Sequence, residues 1–422
     1  MLKNKYRRHK ETVHNLTWRI LQVFGKQGIT FLIFILCAKF LVPYDFGIYN
    51  YSLTIIFFLI MFGDFGISTA TSKYVAEYNI KDKEKLKSVL FNSGLIILAI
   101  SILATILTII LGSIYLRERY IYVLYLLPLV FLAPMTSLYD GIYRGLKKFK
   151  QLAIISTIIG FISVTFVYFL IKQYGLIGAL ISQNLFYLIL LLGLGLGYKD
   201  FNFKINQRVI KEIGKYSFVY GLAILGNYLF IRFGILILGH YNYIEEIATY
   251  ELINKIFMVL LLPFSLLGQV VAPNFAIYSA NKENKKIYEK SIKYTIIFLI
   301  TGLFLGLIFY FILPLIFKIF FSEYFIKPYF KITFLLSLII FVTNVWAATF
   351  DAGILIPTGH AKLMAKFYLI LGIFGVLLSL ILVNYMGFIG VILSFTFTSF
   401  IMAFGLRLFY FRNINSYTKS NF

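Results

Sequence analysis

Long apolar stretches, separated by short polar or charged breaks, recur along the 422-residue chain. Most stretches hold about 20 residues or more, which is the length that an α-helix needs to cross the hydrocarbon core of a bilayer. This pattern predicts about twelve membrane-spanning helices. The predicted spans cover approximately residues 16–42, 46–74, 88–115, 120–143, 151–172, 174–198, 213–239, 246–277, 291–317, 328–356, 361–384 and 386–411.

The amino-acid composition also indicates a membrane location. Hydrophobic residues make up 60% of the chain and charged residues 14%, with a mean hydropathy of +0.86. A soluble chain carries roughly 25% charged residues. We therefore predict an all-α integral membrane protein. The single cysteine, Cys37, excludes a disulfide within the chain, and the four histidines are scattered. The sequence therefore predicts neither a metal site nor a cofactor.

The net charge of +23 is unevenly distributed between alternate breaks. Most Lys and Arg residues lie in the N-terminal arm, residues 81–87, 144–150, 199–215 and 282–290, Lys362 and Lys366, and the C-terminal tail. The other breaks contain Arg117, Arg119, Lys172, Lys318, Lys327 and Lys331. By the positive-inside rule the basic breaks face the cytoplasm, so we predict a multi-pass protein of the cell membrane with both termini cytoplasmic. Because topology and anionic lipid headgroups explain the charge, we expect no nucleic-acid partner.

The two halves of the chain resemble each other. Four pairs of segments match in the same order: PYDFGIYNYSLTI (43–55) with IEEIATYELINKI (244–256), the basic breaks at 81–87 and 282–290, DGIYRGLKKFKQLA (140–153) with DAGILIPTGHAKLMA (351–365), and QYGLIGALIS (173–182) with NYMGFIGVILS (384–394). Six spans per half give both halves the same orientation, so we predict a parallel repeat of two lobes, residues 1–200 and 201–422. Transporters built from such repeats place the substrate path between the halves.

Three segments at the ends of spans resemble one membrane-protein family. They are LVPYDFGIYNYSLTI (41–55), FGDFGISTATSKYVAEYN (62–79) and DGIYRGLKKFKQLAI (140–154). They resemble the polysaccharide repeat-unit flippases of the multidrug/oligosaccharidyl-lipid/polysaccharide (MOP) superfamily over nearly the whole chain. The resemblance implies two six-helix lobes in a MATE-like V shape around a central cavity. It also implies that polyprenyl-pyrophosphate-linked oligosaccharide moves from the cytoplasmic to the outer leaflet for cell-surface polysaccharide biosynthesis.

Other functions stay open beside this one. A MATE-type ion-coupled exporter of small organic molecules has the same lobes, but its cavity tends to use carboxylates. A lipid II-type flippase carries additional C-terminal spans. A membrane enzyme of glycan assembly needs a soluble domain or a long exterior loop, and all breaks here are short, so we predict no enzyme activity. The chain contains no G-x-x-x-x-G-K-[ST] motif, so we expect the membrane potential or a coupling ion, Na⁺ or H⁺, to drive transport. Membrane lipids and glycan assembly enzymes are further candidate partners.

A polar stripe runs along one face of the first span. Its members, spaced as neighbours on an α-helix, are Asn15, Arg19, Gln22, Lys26 and Thr30. A lysine at mid-depth costs at least about 2.5 kcal/mol when it faces lipid, so the stripe predicts a water-filled cavity. In related flippases, cations on the first and eighth spans are held to contact the pyrophosphate. Arg19, Lys26 and Lys255 fit that pattern, although Arg19 can also reach the interface and Lys26 can form a buried ion pair.

Further intramembrane residues complete the predicted site. Asn227 occupies the position that matches Lys26 in the repeat. Arg232 lies nearer the outer surface, so its side chain can extend to the membrane interface instead of binding substrate. We predict that the substrate is bound by Arg19, Gln22, Lys26, Asn227, Arg232 and Lys255. We predict that Asp64 and Glu251 serve as ion-pair or coupling groups, with Asp64 beside Arg19 or Lys26 and Glu251 beside Lys255. Among the tyrosines, Tyr216 and Tyr220 are candidates for stacking on sugars.

Overall fold

The structure is a computed structural model that describes Trp18, Leu21, Gln22, Gly25 and residues 27–198 and 201–419. For Val219 and residues 413–419 it describes the helical backbone but not the side chains. Every regular element in this part of the chain is a helix. The same part contains nine helical segments that are long and apolar enough to cross a membrane. These findings confirm the predicted all-α membrane fold class.

The first half of the chain forms seven helices and a short 3₁₀ turn. These are α1 (Gln27–Phe40), α2 (Pro43–Asp64), α3 (Ile67–Lys81), α4 (Lys83–Leu116), the 3₁₀ turn Arg117–Arg119, α5 (Tyr120–Leu126), α6 (Leu129–Gly145) and α7 (Phe149–Leu196). The helix α4 begins at a capped N-terminus, because the Asp82 carboxylate accepts a hydrogen bond from the backbone N–H of Lys85 at 3.1 Å.

The second half of the chain forms seven further helices and one π-helical turn. These are α8 (Gln207–His240), α9 (Ile244–Ala280), α10 (Asn284–Phe320), α11 (Ser322–Phe325), α12 (Phe330–Phe350), the π-helical turn Asp351–Leu355, α13 (Ala361–Met386) and α14 (Phe388–Lys419). Two prolines, Pro263 and Pro273, lie inside α9 without ending it.

The predicted spans and the observed helices differ mainly in where helices are interrupted. The helix α7 has 48 residues, about 72 Å if it were straight, which is too long for one crossing. It is interrupted at Gly175, where φ is 54° and ψ is −129°, next to the predicted break between the fifth and sixth spans. The predicted fourth span divides into α5 and α6 at Leu127 and Pro128.

The backbone at two glycines repeats between the halves. Gly175 and Gly387 occupy the same place in the matched segments, and their φ angles are 54° and 59°. Three residues later, Gly178 and Gly390 approach the carbonyl oxygens of Leu170 and Leu382 so closely that an added Cβ would lie 2.0 Å and 2.3 Å from them. The similarity of the two sequence segments therefore reflects one shared backbone turn between consecutive spans.

The described chain forms two compact units with their boundary between Ile224 and Leu225, inside α8. In the N-terminal unit, Val209 and Ile213 of α8 belong to a buried core with residues of α3, α4, α6 and α7. In the C-terminal unit, a second core includes Phe275, Phe350 and Tyr410. The lobe boundary predicted at residues 200 and 201 stays a prediction.

Candidate functional site

The polar stripe of the first span is only partly described. Arg19 and Lys26 lie outside the described residues. Gln22 is described, and its side chain is buried with 3% exposure. Thr30 donates a hydrogen bond to the backbone carbonyl of Gln27 at 2.9 Å, within its own helix. Within the N-terminal unit, Gln22 is therefore covered by protein, and the role of the stripe in substrate binding stays a prediction.

A buried ion pair joins α8 and α9 in the C-terminal unit. The Arg232 guanidinium donates to the Glu251 carboxylate with an Nη1–Oε2 distance of 2.7 Å, and the side chains are 22% and 6% exposed. Two charges in an apolar bundle need such a contact, because each alone carries a large desolvation cost. The other carboxylate oxygen, Oε1, is buried and accepts no hydrogen bond from any described residue. The sequence analysis placed Glu251 beside Lys255 and did not anticipate its pairing with Arg232.

A second cation lies near this pair. Lys255, one turn after Glu251 on α9, is half-buried and within electrostatic range of both Arg232 and Glu251. Tyr228 and Tyr250 are within electrostatic range of Arg232 and are 9% and 5% exposed. The described members of this cluster are two cations and one carboxylate, which gives them an excess of positive charge. Such an arrangement favours an anionic guest over a cationic one.

Asn227 lies in the same helix, α8, just before Tyr228. Its side chain is half-buried. No described residue forms a hydrogen bond with it. The amide therefore keeps its donor and acceptor capacity, which suits either water or a polar substrate group.

Asp64 stabilises a break in the second span. The backbone at Phe65 and Gly66 is left-handed, with φ of 30° and 84°, and this separates α2 from α3. The Asp64 carboxylate accepts hydrogen bonds from the backbone N–H of Ser68 at 2.8 Å and from its hydroxyl at 2.9 Å. It also accepts one from the Ser137 hydroxyl of α6 at 2.9 Å. Asp64 thus satisfies a free donor at the start of α3.

A cation on the second span was missed from the sequence. Lys73 of α3 is exposed, and its ammonium nitrogen lies 4.1 Å from the ring centre of Tyr216 and 4.9 Å from that of Tyr74. These distances are those of cation–π contacts. Because Lys73 falls at the end of the predicted span, next to a basic break, nothing in the hydrophobic pattern distinguishes it from an ordinary loop cation.

A buried arginine on α14 was also missed. Arg407 is 3% exposed, donates to the backbone carbonyls of Ala403 at 2.6 Å and of Trp346, and lies 4.1 Å and 4.5 Å from the ring centres of Trp346 and Phe350. The nearby Asp351 keeps one buried oxygen without a hydrogen bond from any described residue. This cluster joins α12 to α14 and is a packing feature of the C-terminal unit.

The described residues contain no group of three or more His, Cys, Asp or Glu side chains that could hold a metal ion.

Helical bundles with charged residues at membrane depth are characteristic of transporters. The fold of the chain is similar to the folds of solved structures of MOP-superfamily transporters.

Three of these structures illustrate the likeness. A MATE-family multidrug resistance transporter in an inward-facing conformation has a TM-score of 0.76 and 15% identity, covering 95% of this chain and 99% of that chain. The lipid II flippase MurJ in an inward closed conformation has a TM-score of 0.71 and 17% identity, covering 94% and 89%. A MOP-superfamily transporter from Pyrococcus furiosus, described as having a binding pocket of reverse polarity, has a TM-score of 0.65 and 14% identity, covering 96% of each chain.

The family follows from the sequence itself. The family described as "Polysaccharide biosynthesis protein" matches residues 12–279. The chain belongs to that family, which confirms the resemblance found in the sequence. A comparison with curated protein sequences finds no significant match.

Proposed function

We propose that the protein is a flippase that moves polyprenyl-pyrophosphate-linked oligosaccharide from the cytoplasmic to the outer leaflet of the cell membrane, for cell-surface polysaccharide biosynthesis. The observation that carries this proposal is the excess of positive charge around Glu251, where Arg232 and Lys255 lie near one carboxylate. Membership of the polysaccharide biosynthesis family supports it. The neighbouring membrane lipids and the glycan assembly enzymes are the expected partners.

The substrate explains why cations are needed at membrane depth. Its pyrophosphate and sugars are polar and cannot cross hydrocarbon unaided, whereas its polyprenyl tail can stay in lipid. Fixed cations replace the water around the phosphates with charge-assisted hydrogen bonds, which are roughly twice as strong as neutral ones. An arginine can bind phosphate oxygens with two parallel bonds, and a lysine acts as a point charge. We assign this role to Arg19, Gln22, Lys26, Asn227, Arg232 and Lys255.

The direction of transport has an electrostatic basis in this proposal. With the cytoplasm negative, moving two negative charges outward releases about 4–5 kcal/mol at 100 mV, from ~2.3 kcal/mol per charge. The return of an empty, positively charged site inward is favoured by the same potential. A coupling ion, Na⁺ or H⁺, is the alternative drive, with Glu251 and Asp64 as its candidate ligands.

Reconstitution into vesicles tests the proposal. The purified protein is placed in liposomes with a fluorescent polyprenyl-pyrophosphate-linked disaccharide, and the appearance of the headgroup on the far side is measured. We expect Lys26→Ala and Lys255→Ala each to slow translocation by about 10-fold or more, because a hydrogen bond to a charged group is worth about 1.5–3 kcal/mol. Lys39→Ala is the matched control, since Lys39 is exposed near the predicted outer end of the first span. Equal rates in all four proteins would contradict the proposed cation site.

One observation favours a second function. The buried Oε1 of Glu251 has no hydrogen-bond partner among the described residues, and such an oxygen suits a cation in an ion-coupled exporter of small organic molecules. In the same liposomes, this function predicts a pH- or Na⁺-driven flux of organic cations and no movement of the lipid-linked disaccharide. A lipid II-type flippase would instead move lipid II in preference to other lipid-linked glycans.

A further inference from the structure

An aromatic platform with one cation lies in the N-terminal unit, between α3 and the start of α8. We define it by Lys73, Tyr74, Tyr216 and Tyr220. The rings of Tyr216 and Tyr220 are stacked, with centres 6.0 Å apart and planes at 19°. Tyr74 meets Tyr216 edge to face at 6.1 Å, and the Lys73 ammonium lies 4.1 Å from the Tyr216 ring centre. The four side chains therefore form one continuous surface.

The platform lies at the cytoplasmic end of two predicted spans, because Lys73 and Tyr74 close the span 46–74 and Tyr216 and Tyr220 lie in the first third of the span 213–239. Lys73 precedes Lys81, the last residue of α3, by two helical turns, or about 12 Å. Side chains on a helix lean toward its N-terminus, so Lys73 leans away from the helix end that is predicted to be cytoplasmic. Its contact with Tyr216 holds the ammonium at this depth. An exposed lysine at this level meets water and lipid headgroups rather than hydrocarbon, so the platform is accessible from the predicted cytoplasmic side.

The polar groups of the platform are not used by the protein. The hydroxyls of Tyr74, Tyr216 and Tyr220 form no hydrogen bond with any described residue. Glu77, one helical turn after Lys73, is within electrostatic range of its ammonium, but no described carboxylate forms a salt bridge with it. By contrast, the neighbouring Tyr78 donates its hydroxyl to Glu212. Tyr220 is 45% exposed, whereas Tyr74 and Tyr216 pack against the buried core. The core thus fixes the rings while their polar ends stay available.

A sugar ring has the chemistry that fits this surface. One face of a pyranose presents C–H groups, which pack on an aromatic ring, and its rim presents hydroxyls, which take hydrogen bonds. Tyrosine offers both an apolar face and a polar tip, and lysine adds three donors. We propose that Lys73, Tyr74, Tyr216 and Tyr220 form a carbohydrate subsite for the glycan of the lipid-linked substrate. This proposal rests on the proposed function and assigns sugar binding to residues other than the predicted pyrophosphate cations.

A binding experiment with two lipids tests the subsite. The full-length protein is placed in nanodiscs, and its affinity is measured for a polyprenyl-pyrophosphate-linked disaccharide and for the sugar-free polyprenyl pyrophosphate. We expect Tyr220→Ala to weaken binding of the disaccharide lipid by about 3- to 10-fold, the range for losing one aromatic contact. We expect its affinity for the sugar-free lipid to stay unchanged. Lys73→Gln, which keeps the polar end and the stem, should give a smaller loss than Lys73→Leu.

Two controls separate the subsite from general effects. Tyr220→Phe keeps the ring and removes the hydroxyl, so it should retain most of the affinity. The unchanged affinity of Tyr220→Ala for the sugar-free lipid shows that this variant is folded. Tyr310→Ala removes an equally exposed tyrosine, at 45%, from α10 of the other unit and should change nothing. If the wild type binds the disaccharide lipid, and Tyr220→Ala binds each of the two lipids as tightly as the wild type does, the subsite is refuted. If the wild type binds neither lipid, the proposed function itself fails.

Discussion

The ion pair between Arg232 and Glu251 shows how this chain keeps charge inside an apolar bundle. The two side chains are on neighbouring helices and 2.7 Å apart. Sequence periodicity places both residues inside spans, but it does not show which residue of one helix meets which residue of the next. The pair was therefore beyond sequence reasoning, although both of its members were predicted as site residues.

This geometry predicts a non-additive pair of substitutions. Glu251→Ala leaves the Arg232 charge buried without its partner, so we expect a loss of about 3 kcal/mol in the free energy of unfolding. The double variant Arg232→Met with Glu251→Leu removes both charges and fills similar volume, and should recover most of that loss. The measurement is thermal or denaturant unfolding in detergent. A double variant less stable than Glu251→Ala would show that the pair is not the main source of the effect.

At the scale of the helix, the turn within α7 depends on glycine for two different reasons. Gly175 has φ of 54° and ψ of −129°, but an added Cβ there would meet nothing within 4 Å. At Gly178, an added Cβ would lie 2.0 Å from the carbonyl oxygen of Leu170. Gly175 is required because other residues rarely adopt its backbone conformation, and Gly178 is required because no side chain fits beside Leu170.

These reasons predict an order of effects for alanine substitutions. Gly175→Ala should cost about 1–3 kcal/mol through backbone strain. Gly178→Ala should cost more, because the helix and the preceding turn must move apart. Gly214→Ala in α8 is the control: its position is helical and open, so alanine should be neutral or stabilise by up to about 1 kcal/mol. Unfolding of the three purified variants gives the order, and a Gly175→Ala variant less stable than Gly178→Ala would contradict it.

The elements also show what hydrophobic patterning can and cannot predict. Apolar runs of spanning length identified the helices, and the turn at Gly175 was found within a few residues. The break at Phe65 and Gly66 was missed, because the apolar stretch read as the span 46–74 continues on both sides of it and contains no proline. That break is stabilised by Ser137, which is distant in sequence and reaches Asp64 only in the folded unit. The sequence named Tyr216 and Tyr220 as candidates for stacking on sugars. It did not place Lys73 beside them, since Tyr216 comes from another helix.

At the scale of the whole molecule, the repeat informs on local backbone geometry, whereas the charge distribution predicts the orientation in the membrane. The matching turns at Gly175 and Gly387 show that the two halves share local backbone geometry. They say nothing about which side of the membrane each turn faces. That orientation depends on the excess of Lys and Arg in alternate breaks, and it stays a prediction.

Cysteine labelling measures this orientation directly. The natural Cys37 is fully buried, so the unmodified chain should react little with a membrane-impermeant maleimide and provides the background. Lys83→Cys lies in an exposed break predicted to be cytoplasmic, and Ser322→Cys lies in an exposed break predicted to be outside. In intact cells we expect the reagent to label Ser322→Cys at once and Lys83→Cys only after the membrane is opened. The reverse pattern would invert the topology, and with it the direction in which the membrane potential drives a negatively charged substrate.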